Sequence, residues 1–211
     1  MISFNILFDF LNSIFPNAHC ELNYTNDYEL LIAIMLSAQT TDKAVNKVTS
    51  ILFSKYKNIK ELNDASIDDI ERIVSFLGMG KKKAYNIKQI SNLLVTKYDC
   101  IVPKDPSILV TFPGVGNKTK NCFLAEYYHM PYLAIDTHVQ RISKRLNLVN
   151  EKDNVEVIEN KLNKFIPDDK KVLFNHQLIS FGRNICKAKN PMCENCKISS
   201  FCSYFKNKVH Q

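Results

Sequence analysis

Four cysteines near the carboxyl end of the chain have the spacing of a metal-binding group. Cys186, Cys193, Cys196 and Cys202 follow the pattern Cys-x6-Cys-x2-Cys-x5-Cys. Thiolates this close along the chain can converge on one metal centre with a small loop-closure cost. Sites made only of cysteine hold either zinc or an iron–sulfur cluster. Zinc sites usually combine two short Cys-x2-4-Cys arms, and only one is present here. The spacing therefore favours an iron–sulfur cluster and leaves zinc as the alternative.

A Gly-x-Gly turn followed by lysines lies at residues 112–120, Phe-Pro-Gly-Val-Gly-Asn-Lys-Thr-Lys. Gly114 and Gly116 let the backbone approach another molecule closely, and the helix expected after them directs free N–H groups outwards. Such a turn can bind an anion such as a DNA phosphate. Residues 76–84, Phe-Leu-Gly-Met-Gly-Lys-Lys-Lys-Ala, repeat the outline. Two tight helix connections without a ligand are the alternative, and the residues alone leave both interpretations open.

The composition is that of a globular protein with a polyanionic partner. Among 211 residues, 45% are hydrophobic and 23% are charged, which excludes a disordered chain. The formal net charge of +7 suits nucleic acid, with a generally basic surface as the alternative. The apolar amino-terminal segment contains Asp9 and no basic start, so we expect an amphipathic helix rather than a secretion signal. We therefore expect a cytoplasmic protein with no membrane segment and, given seven cysteines, no disulfide framework.

The apolar residues recur at helical intervals, and no run of alternating strands is present. Examples are Val45, Val48 and Leu52, and then Val139, Ile142 and Leu146. Ser66 has the character of an N-cap, and Gly78 is placed to end the helix that follows it. Further helices are expected at residues 81–98, 117–128, 137–146, 154–165 and 169–185. The pattern predicts an all-α protein of about ten helices.

With these elements in order, the chain resembles the endonuclease III family of DNA glycosylases from end to end. The resemblance is carried by the four-cysteine pattern and by Leu36-Ser37-Ala38-Gln39-Thr40-Thr41-Asp42, Pro113-Gly114-Val115-Gly116-Asn117-Lys118-Thr119 and Ala134-Ile135-Asp136-Thr137-His138. It implies the helix–hairpin–helix glycosylase fold with two helical domains. One is a central bundle of residues 20–131. The other combines residues 1–19 and 132–211 and contains an iron–sulfur loop at 186–202.

The same resemblance implies a base-excision-repair enzyme with a [4Fe-4S] cluster. Such an enzyme removes oxidised pyrimidines from duplex DNA by base flipping and cleaves abasic sites by β-elimination, through a lysine Schiff base. Its partner is double-stranded DNA that contains a damaged base or an abasic site. We expect a monomer that associates with the nucleoid through DNA binding.

The resemblance places the catalytic lysine at Lys118 and the catalytic aspartate at Asp136. Only a neutral amine can both attack C1′ and form an imine, and a helix start with basic neighbours favours the neutral amine. Lys120 lies about 200° further around the helix, so we expect it to contact phosphate or to lie at the surface. Asp136 would stabilise positive charge on the sugar. Its alternative role is the N-cap of the next helix, and two carboxylate oxygens allow both. For His138 we expect packing or hydrogen bonding.

A glycosylase that flips its target base must fill the gap left in the duplex. The resemblance assigns Gln39 to that gap and Met79, at a position where the family commonly has leucine, to a wedge between bases. Solvent exposure or capping is the alternative for Gln39, and a core contact is the alternative for Met79. Lys187 and Lys189 lie in the loop between the first two cysteines. We expect them to face phosphate, with a solvated charge run as the alternative.

Three residues depart from the family pattern: Asn117 stands where arginine is frequent, Lys120 replaces a small residue, and Phe112 replaces leucine. Two other functions remain as alternatives. One is an adenine-specific mismatch glycosylase, a family that generally lacks lysine at the position of Lys118. The other is a non-catalytic helix–hairpin–helix protein with structural zinc, which would be colourless.

Overall fold

The computed structural model of the protein describes residues 2–209, and the side chains of residues 2–207. Within that range it contains α-helices, three short 3₁₀ turns and no β-strand, so the all-α prediction is confirmed. The helices are α1 (Phe4–Ile14), α2 (Asp27–Leu36), α3 (Asp42–Lys55), α4 (Ile59–Asp64), α5 (Ile67–Val74), α6 (Gly80–Lys97), α7 (Pro106–Leu109), α8 (Asn117–Tyr128), α9 (Thr137–Arg145), α10 (Val155–Phe165), α11 (Lys171–Asn184) and α12 (Ser203–Val209). None of the described helices is both long enough and apolar enough to cross a membrane.

Most of these helices begin at a residue whose side chain accepts a hydrogen bond from the first turn. Such a side chain satisfies one of the amides that have no acceptor within the helix. The capping residues are Ser3, Asn26, Thr41, Asn58, Ser66, Asp105, Asp136 and Asn154. The short polar residues between the apolar stretches therefore determine where the helices start.

The chain divides into two compact units. The continuous unit, Glu21–His129, contains α2 to α8. Helix α2 lies at its centre, because every residue from Tyr28 to Leu36 is buried. It packs on α3 and α8, while α6 packs on α4 and α5. This unit carries both Gly-x-Gly turns.

The second unit consists of the described parts of Met1–Cys20 and Met130–Gln211. Leu7 and Leu11 of α1 are fully buried in its core, and Phe4 stacks on Phe8 beside them. Helices α9 and α11 pack closely at Gly182, where a Cβ would lie 2.7 Å from Nδ1 of His138. The last of the five glycines therefore permits a helix–helix contact.

The predicted helix boundaries agree closely with the structure. Residues 117–128 form α8 as expected, α9 ends one residue before the predicted end, and a 3₁₀ turn occupies Asp168–Lys170 before α11 starts. The prediction that Gly78 ends α5 was wrong, because α5 ends at Val74 and Gly78 instead ends the 3₁₀ turn Ser75–Leu77 that follows it. Helices α2, α4 and α12 were not among the predicted ones.

Candidate functional site

The two glycines of the hairpin before α8 have different backbone conformations and different surroundings. Gly114 has φ +81°, and a Cβ there would lie 2.3 Å from Nδ2 of Asn86 and 3.1 Å from Cγ of Met35. Only glycine fits both that backbone and that space. Gly116 has an ordinary φ of −90°, and a Cβ there would meet nothing within 4 Å. The fold therefore favours glycine at position 114. At position 116 the absence of a side chain leaves the backbone accessible to another molecule.

Gly116 is the N-cap of α8 and offers no side chain to the first amides of that helix. Those amides have no acceptor within the helix, and the positive end of the helix dipole lies with them. The two features together leave an open, positively polarised turn that suits an anion. Helix α8 starts directly after this turn, as the sequence predicted.

Lys118 and Lys120 have different surroundings at the start of α8. The Lys118 side chain is exposed in the first helical turn. Lys120 is half-buried, and its Nζ donates a hydrogen bond to Oδ1 of Asn117 at 3.4 Å. Two of the three residues that depart from the family pattern, Asn117 and Lys120, therefore contact each other. The third, Phe112, is buried and packs on Tyr98.

The second Gly-x-Gly motif forms the Met79 turn, residues 78–80. Gly78 has φ +73° and Met79 has φ +52°, so the tip of this turn is left-handed. A non-glycine residue in this region is uncommon, and the strain it stores is typical of functional sites. The Met79 side chain is 49% exposed, and Phe76 beside the turn is 89% exposed. Half of the methionine surface is therefore available to another molecule.

The segment between α2 and α3 forms the Gln39 turn, residues 37–40. Gln39 is exposed and, like Met79, left-handed, with φ +59°. The cap of α3 is Thr41, whose Oγ1 accepts a hydrogen bond from the amide of Ala44. Gln39 is thus not a helix cap, and its side chain faces solvent.

A buried lysine, Lys83, connects the two turns, and the sequence analysis did not single it out. Its Nζ donates to the carbonyl oxygen of Ala38 at 3.3 Å and to that of Leu77 at 2.9 Å. The side chain is 3% exposed, and this burial lowers the pKa of Lys83. One signal was available: Lys83 precedes the buried Ile87 and Ile90 by four and seven residues, which places it on the apolar stripe of α6.

Asp136 caps α9, as the alternative interpretation expected. Its Oδ1 accepts a hydrogen bond from the amide of Val139 at 2.8 Å, and the residue is half-buried. His138 lies two residues after it, with Nδ1 3.1 Å from Nη2 of Arg141. Burial lowers the pKa of His138. The charge of Asp136 opposes this shift, and the charges of Arg141 and Arg183 add to it. His138 therefore has the packing and hydrogen-bonding surroundings that we expected.

The four cysteines of the carboxyl-terminal group line one cavity with an empty volume of about 380 Å³, including its open mouth. Its other walls include apolar side chains such as Phe181, Ile185 and Ile198. Burial raises the pKa of the Cys196 thiol, and the charges of the other three cysteines add to that effect. In the described range, no three or more His, Cys, Asp or Glu side chains are placed closely enough to hold a metal ion together. Four soft sulfur donors around one apolar cavity fit an iron–sulfur cluster or zinc.

Arg145, in the last turn of α9, holds the backbone of the loop between the first two cysteines. Its Nη1 donates to the carbonyl oxygen of Lys187 at 2.7 Å, and its Nη2 donates to that of Ala188 at 3.2 Å. Its Nη1 also lies 3.3 Å from Sγ of Cys186. The side chains of Lys187 and Lys189 are exposed. The backbone of this loop is thus fixed by an arginine that the sequence analysis did not single out.

Residues 32–168 match the HhH-GPD superfamily of base excision DNA repair proteins. Over 194 residues the chain is 39% identical to endonuclease III of Bacillus subtilis strain 168, covering 92% of this chain and 89% of that protein. The structure of a non-covalent endonuclease III–DNA complex matches with a TM-score of 0.94 and 38% identity, covering 100% of both chains. A trapped endonuclease III–DNA covalent intermediate matches with a TM-score of 0.92 and 38% identity, covering 99% of this chain and 100% of that one.

The match to the superfamily spans more than half of the chain, and the relatives are covered almost completely. The helical fold of the described residues agrees with both matched structures. The chain therefore belongs to the HhH-GPD superfamily of base excision DNA repair proteins and, within it, to the endonuclease III family of DNA glycosylases with AP lyase activity.

Proposed function

We propose that the protein removes oxidised pyrimidines from double-stranded DNA and then cleaves the strand at the resulting abasic site, with Lys118 as the nucleophile. The observation that carries this proposal is the exposed Lys118 amine in the first turn of α8, directly after an open turn that suits a phosphate. An amine at that position lies where a bound DNA backbone would bring a sugar. Lys120, whose Nζ contacts Asn117, is assigned to the phosphate backbone instead.

The proposed reaction uses one amine for two bond cleavages. The neutral Nζ of Lys118 attacks C1′, the bond from C1′ to the base breaks, and the base leaves with a proton. The nitrogen lone pair then breaks the C1′–O4′ bond, O4′ takes up a proton from water, and the sugar ring opens to a protonated imine between Nζ and C1′. Loss of a proton from C2′ then expels the 3′ phosphate, and water hydrolyses the imine to release the amine. Each step requires only groups that the chain, the DNA and water supply.

Asp136 is assigned to stabilise positive charge on the sugar and to assist proton transfer. Its Oδ1 is engaged by the amide of Val139, so the catalytic role falls to the second carboxylate oxygen. The hydrogen bond donated by the Val139 amide fixes the carboxylate in one orientation. A fixed carboxylate stabilises developing charge better than a mobile one, because no reorganisation is needed during the reaction.

The Gln39 turn and the Met79 turn are assigned to the gap that a flipped base leaves in the duplex. Both tips are left-handed, and both side chains are available to another molecule. The Gln39 amide can hydrogen-bond to the unpaired partner base, and Met79 can insert between bases as a flexible apolar wedge. Gly114 and Gly116 bring the hairpin backbone to a phosphate.

We assign the cavity lined by Cys186, Cys193, Cys196 and Cys202 to a [4Fe-4S] cluster, with zinc as the alternative. Four thiolates suit either centre, and the single short Cys-x2-Cys arm favours the cluster. When bound, the cluster would supply a rigid cross-link between residues 186 and 202. That cross-link would present Lys187 and Lys189 to the phosphate backbone.

The two compact units are the natural candidates for the two expected domains, of residues 20–131 and of residues 1–19 with 132–211. We further propose that the protein acts as a monomer in the cytoplasm and associates with the nucleoid through DNA. The net charge of +7 supports a DNA partner, since a basic protein is attracted to a polyanion.

The substrate proposal is tested with a panel of duplexes under single-turnover conditions. We expect excision and strand cleavage with oxidised pyrimidines such as thymine glycol, and no excision of adenine from a mismatch. Adenine removal without strand cleavage would support an adenine-specific mismatch glycosylase instead. Binding of DNA without any excision, by a colourless protein, would support the non-catalytic alternative.

A further inference from the structure

The first turn of α6 contains a buried ammonium group that contacts two separate turns of the continuous unit. Nζ of Lys83 donates to Ala38, which lies in the Gln39 turn, and to Leu77, which directly precedes the Met79 turn. Ala38 and Lys83 are 45 residues apart in the chain. One side chain therefore links the Gln39 turn to the 3₁₀ turn that leads into the Met79 turn. The backbone amide of Lys83 also donates to the carbonyl oxygen of Met79 at 3.0 Å.

This contact is the main polar compensation for burying the lysine. Lysine is rarely fully buried, because removing its charge from water is costly unless hydrogen bonds replace the lost hydration. With 3% exposure, Lys83 has given up nearly all of that hydration. The two carbonyl oxygens at 2.9 and 3.3 Å therefore hold the ammonium in place, and the ammonium in turn holds both turns. An apolar residue would leave both carbonyls without this donor.

The residues at the tips of the two turns share an unusual backbone. Gln39 and Met79 are both left-handed without being glycine, with φ +59° and φ +52°, and they are two of seven such residues in the described range. Such conformations persist only where the surroundings enforce them. Lys83 supplies one such constraint to each turn, one residue before Gln39 and two residues before Met79. The Lys83 hydrogen bonds therefore lie within two residues of both left-handed residues.

We propose that Lys83 is a positioning residue that holds the Gln39 turn and the Met79 turn in one arrangement, so that both tips enter the DNA as a single unit. This inference rests on the proposed function, which assigns both tips to the gap left by the flipped base. Lys83 takes no part in the chemistry at C1′. Its loss affects base extrusion from a duplex and leaves the reactivity of Lys118 intact.

Lys88, on the same helix, provides a matched control. Its Nζ donates to the carbonyl oxygens of Asn63 and Ala65, near the connection between α4 and α5. It is thus a second partly buried lysine with two backbone acceptors, but it contacts neither turn. Replacing it removes the same kind of interaction from the same helix.

The test compares Lys83→Met with Lys88→Met and the wild type on two substrates. One is a duplex with an oxidised pyrimidine, with 2-aminopurine as the partner base to report unstacking. The other is single-stranded DNA with an abasic site, which needs no base flipping and is scored by borohydride trapping. We expect Lys83→Met to lower duplex excision about 10- to 100-fold, because a displacement of about 1 Å can cost that much. Its 2-aminopurine signal falls in parallel, while single-strand trapping stays within about twofold of the wild type.

Lys88→Met should alter neither assay beyond its effect on thermal stability. Equal losses on both substrates, or equal behaviour of the two variants, would overturn the proposal. If Lys83→Met does not fold, Lys83→Arg replaces it, since the longer guanidinium keeps the charge but displaces the turns. The same selective loss on the duplex is then expected, and equal losses on both substrates would again overturn the proposal.

The proposed function and this inference fail in different ways. If the wild-type protein neither excises a base nor is trapped on abasic-site DNA, both the proposed function and the role of Lys83 are wrong. If the wild-type protein is active and Lys83→Met excises from the duplex equally well, only the positioning role of Lys83 is wrong.

Discussion

Asn86 and Gly114 are packed so closely that a side chain at position 114 would have to displace the Asn86 amide. A Cβ on Gly114 would lie 2.3 Å from Nδ2 of Asn86, and φ at Gly114 is +81°. Asn86 lies three residues after Lys83, on the same side of α6. Helix α6 thus supports the hairpin through Asn86 and the other two turns through Lys83.

Gly114→Ala and Gly116→Ala should therefore have opposite consequences. Gly114→Ala forces a left-handed alanine against Asn86, so we expect the free energy of unfolding to fall by about 1–3 kcal/mol. Gly116→Ala adds a Cβ into open space and should change stability by less than about 0.5 kcal/mol. It should nevertheless weaken DNA binding, because the Cβ stands between the backbone and a phosphate. Denaturant titration and a binding assay measure the two effects. Unchanged DNA affinity in Gly116→Ala would contradict the phosphate role of the hairpin.

Asp136→Asn should separate the structural and chemical roles of that carboxylate. Asparagine is as good an N-cap as aspartate, so we expect stability within about 0.5 kcal/mol of the wild type. Loss of the charge should lower the single-turnover excision rate at least about 100-fold. Asp136→Ala should additionally lose about 1 kcal/mol of stability through the cap. Wild-type activity in Asp136→Asn would mean that Asp136 only caps α9 and has no catalytic role.

Replacing Lys187 and Lys189 together by alanine should weaken DNA binding through the backbone contacts. We expect the slope of log affinity against log salt concentration to fall by about one for each phosphate contact that is lost. Lys57 and Lys60, exposed lysines in and beside α4, provide the control double variant. Fluorescence anisotropy over a range of salt concentrations measures the slope. Equal slopes for both double variants would mean that Lys187 and Lys189 are ordinary solvent-exposed lysines that contact no phosphate.

A purified protein should be brown and contain about four iron atoms per chain, as the thiolate cluster requires. Removing the iron should bleach the protein and expose residues 186–202 to proteolysis, because the four thiols would lose their common ligand. The continuous unit Glu21–His129 has its own core and should stay resistant. Metal analysis and limited proteolysis test these expectations. A colourless protein with one zinc per chain would support the zinc alternative.

The helices that were predicted from sequence are those with one apolar face. Helix α3 is an example, because Val45, Val48 and Leu52 mark its buried side at regular intervals. Helix α2 was not predicted, because Tyr28 to Leu36 are buried on all sides of the helix. Their sequence therefore lacks the alternation of apolar and polar faces that marks a helical period. Burial on every side is decided by the packing of α3 and α8, which a local pattern does not contain.

The site residues divide in a similar way. Motifs with a fixed local geometry, such as Gly-Val-Gly before α8, were recognisable because turn and helix start are encoded in adjacent residues. The support from Lys83 was not, since it depends on Ala38 being brought next to α6 by the fold. Arg145 is a similar case, because its partners Lys187 and Ala188 are more than 40 residues away. Long-range hydrogen bonds to backbone carbonyls leave little trace in a single sequence.

The most direct test of the central proposal is borohydride trapping on abasic-site DNA with Lys118→Gln and Lys120→Gln. Borohydride reduces the imine between the enzyme and C1′ and so makes the complex permanent. We expect Lys118→Gln to fold normally and to lose trapping, because its amide cannot form the imine. Lys120→Gln should still be trapped, with weaker binding at most. Trapping that survives in Lys118→Gln and disappears in Lys120→Gln would contradict the assignment of the nucleophile.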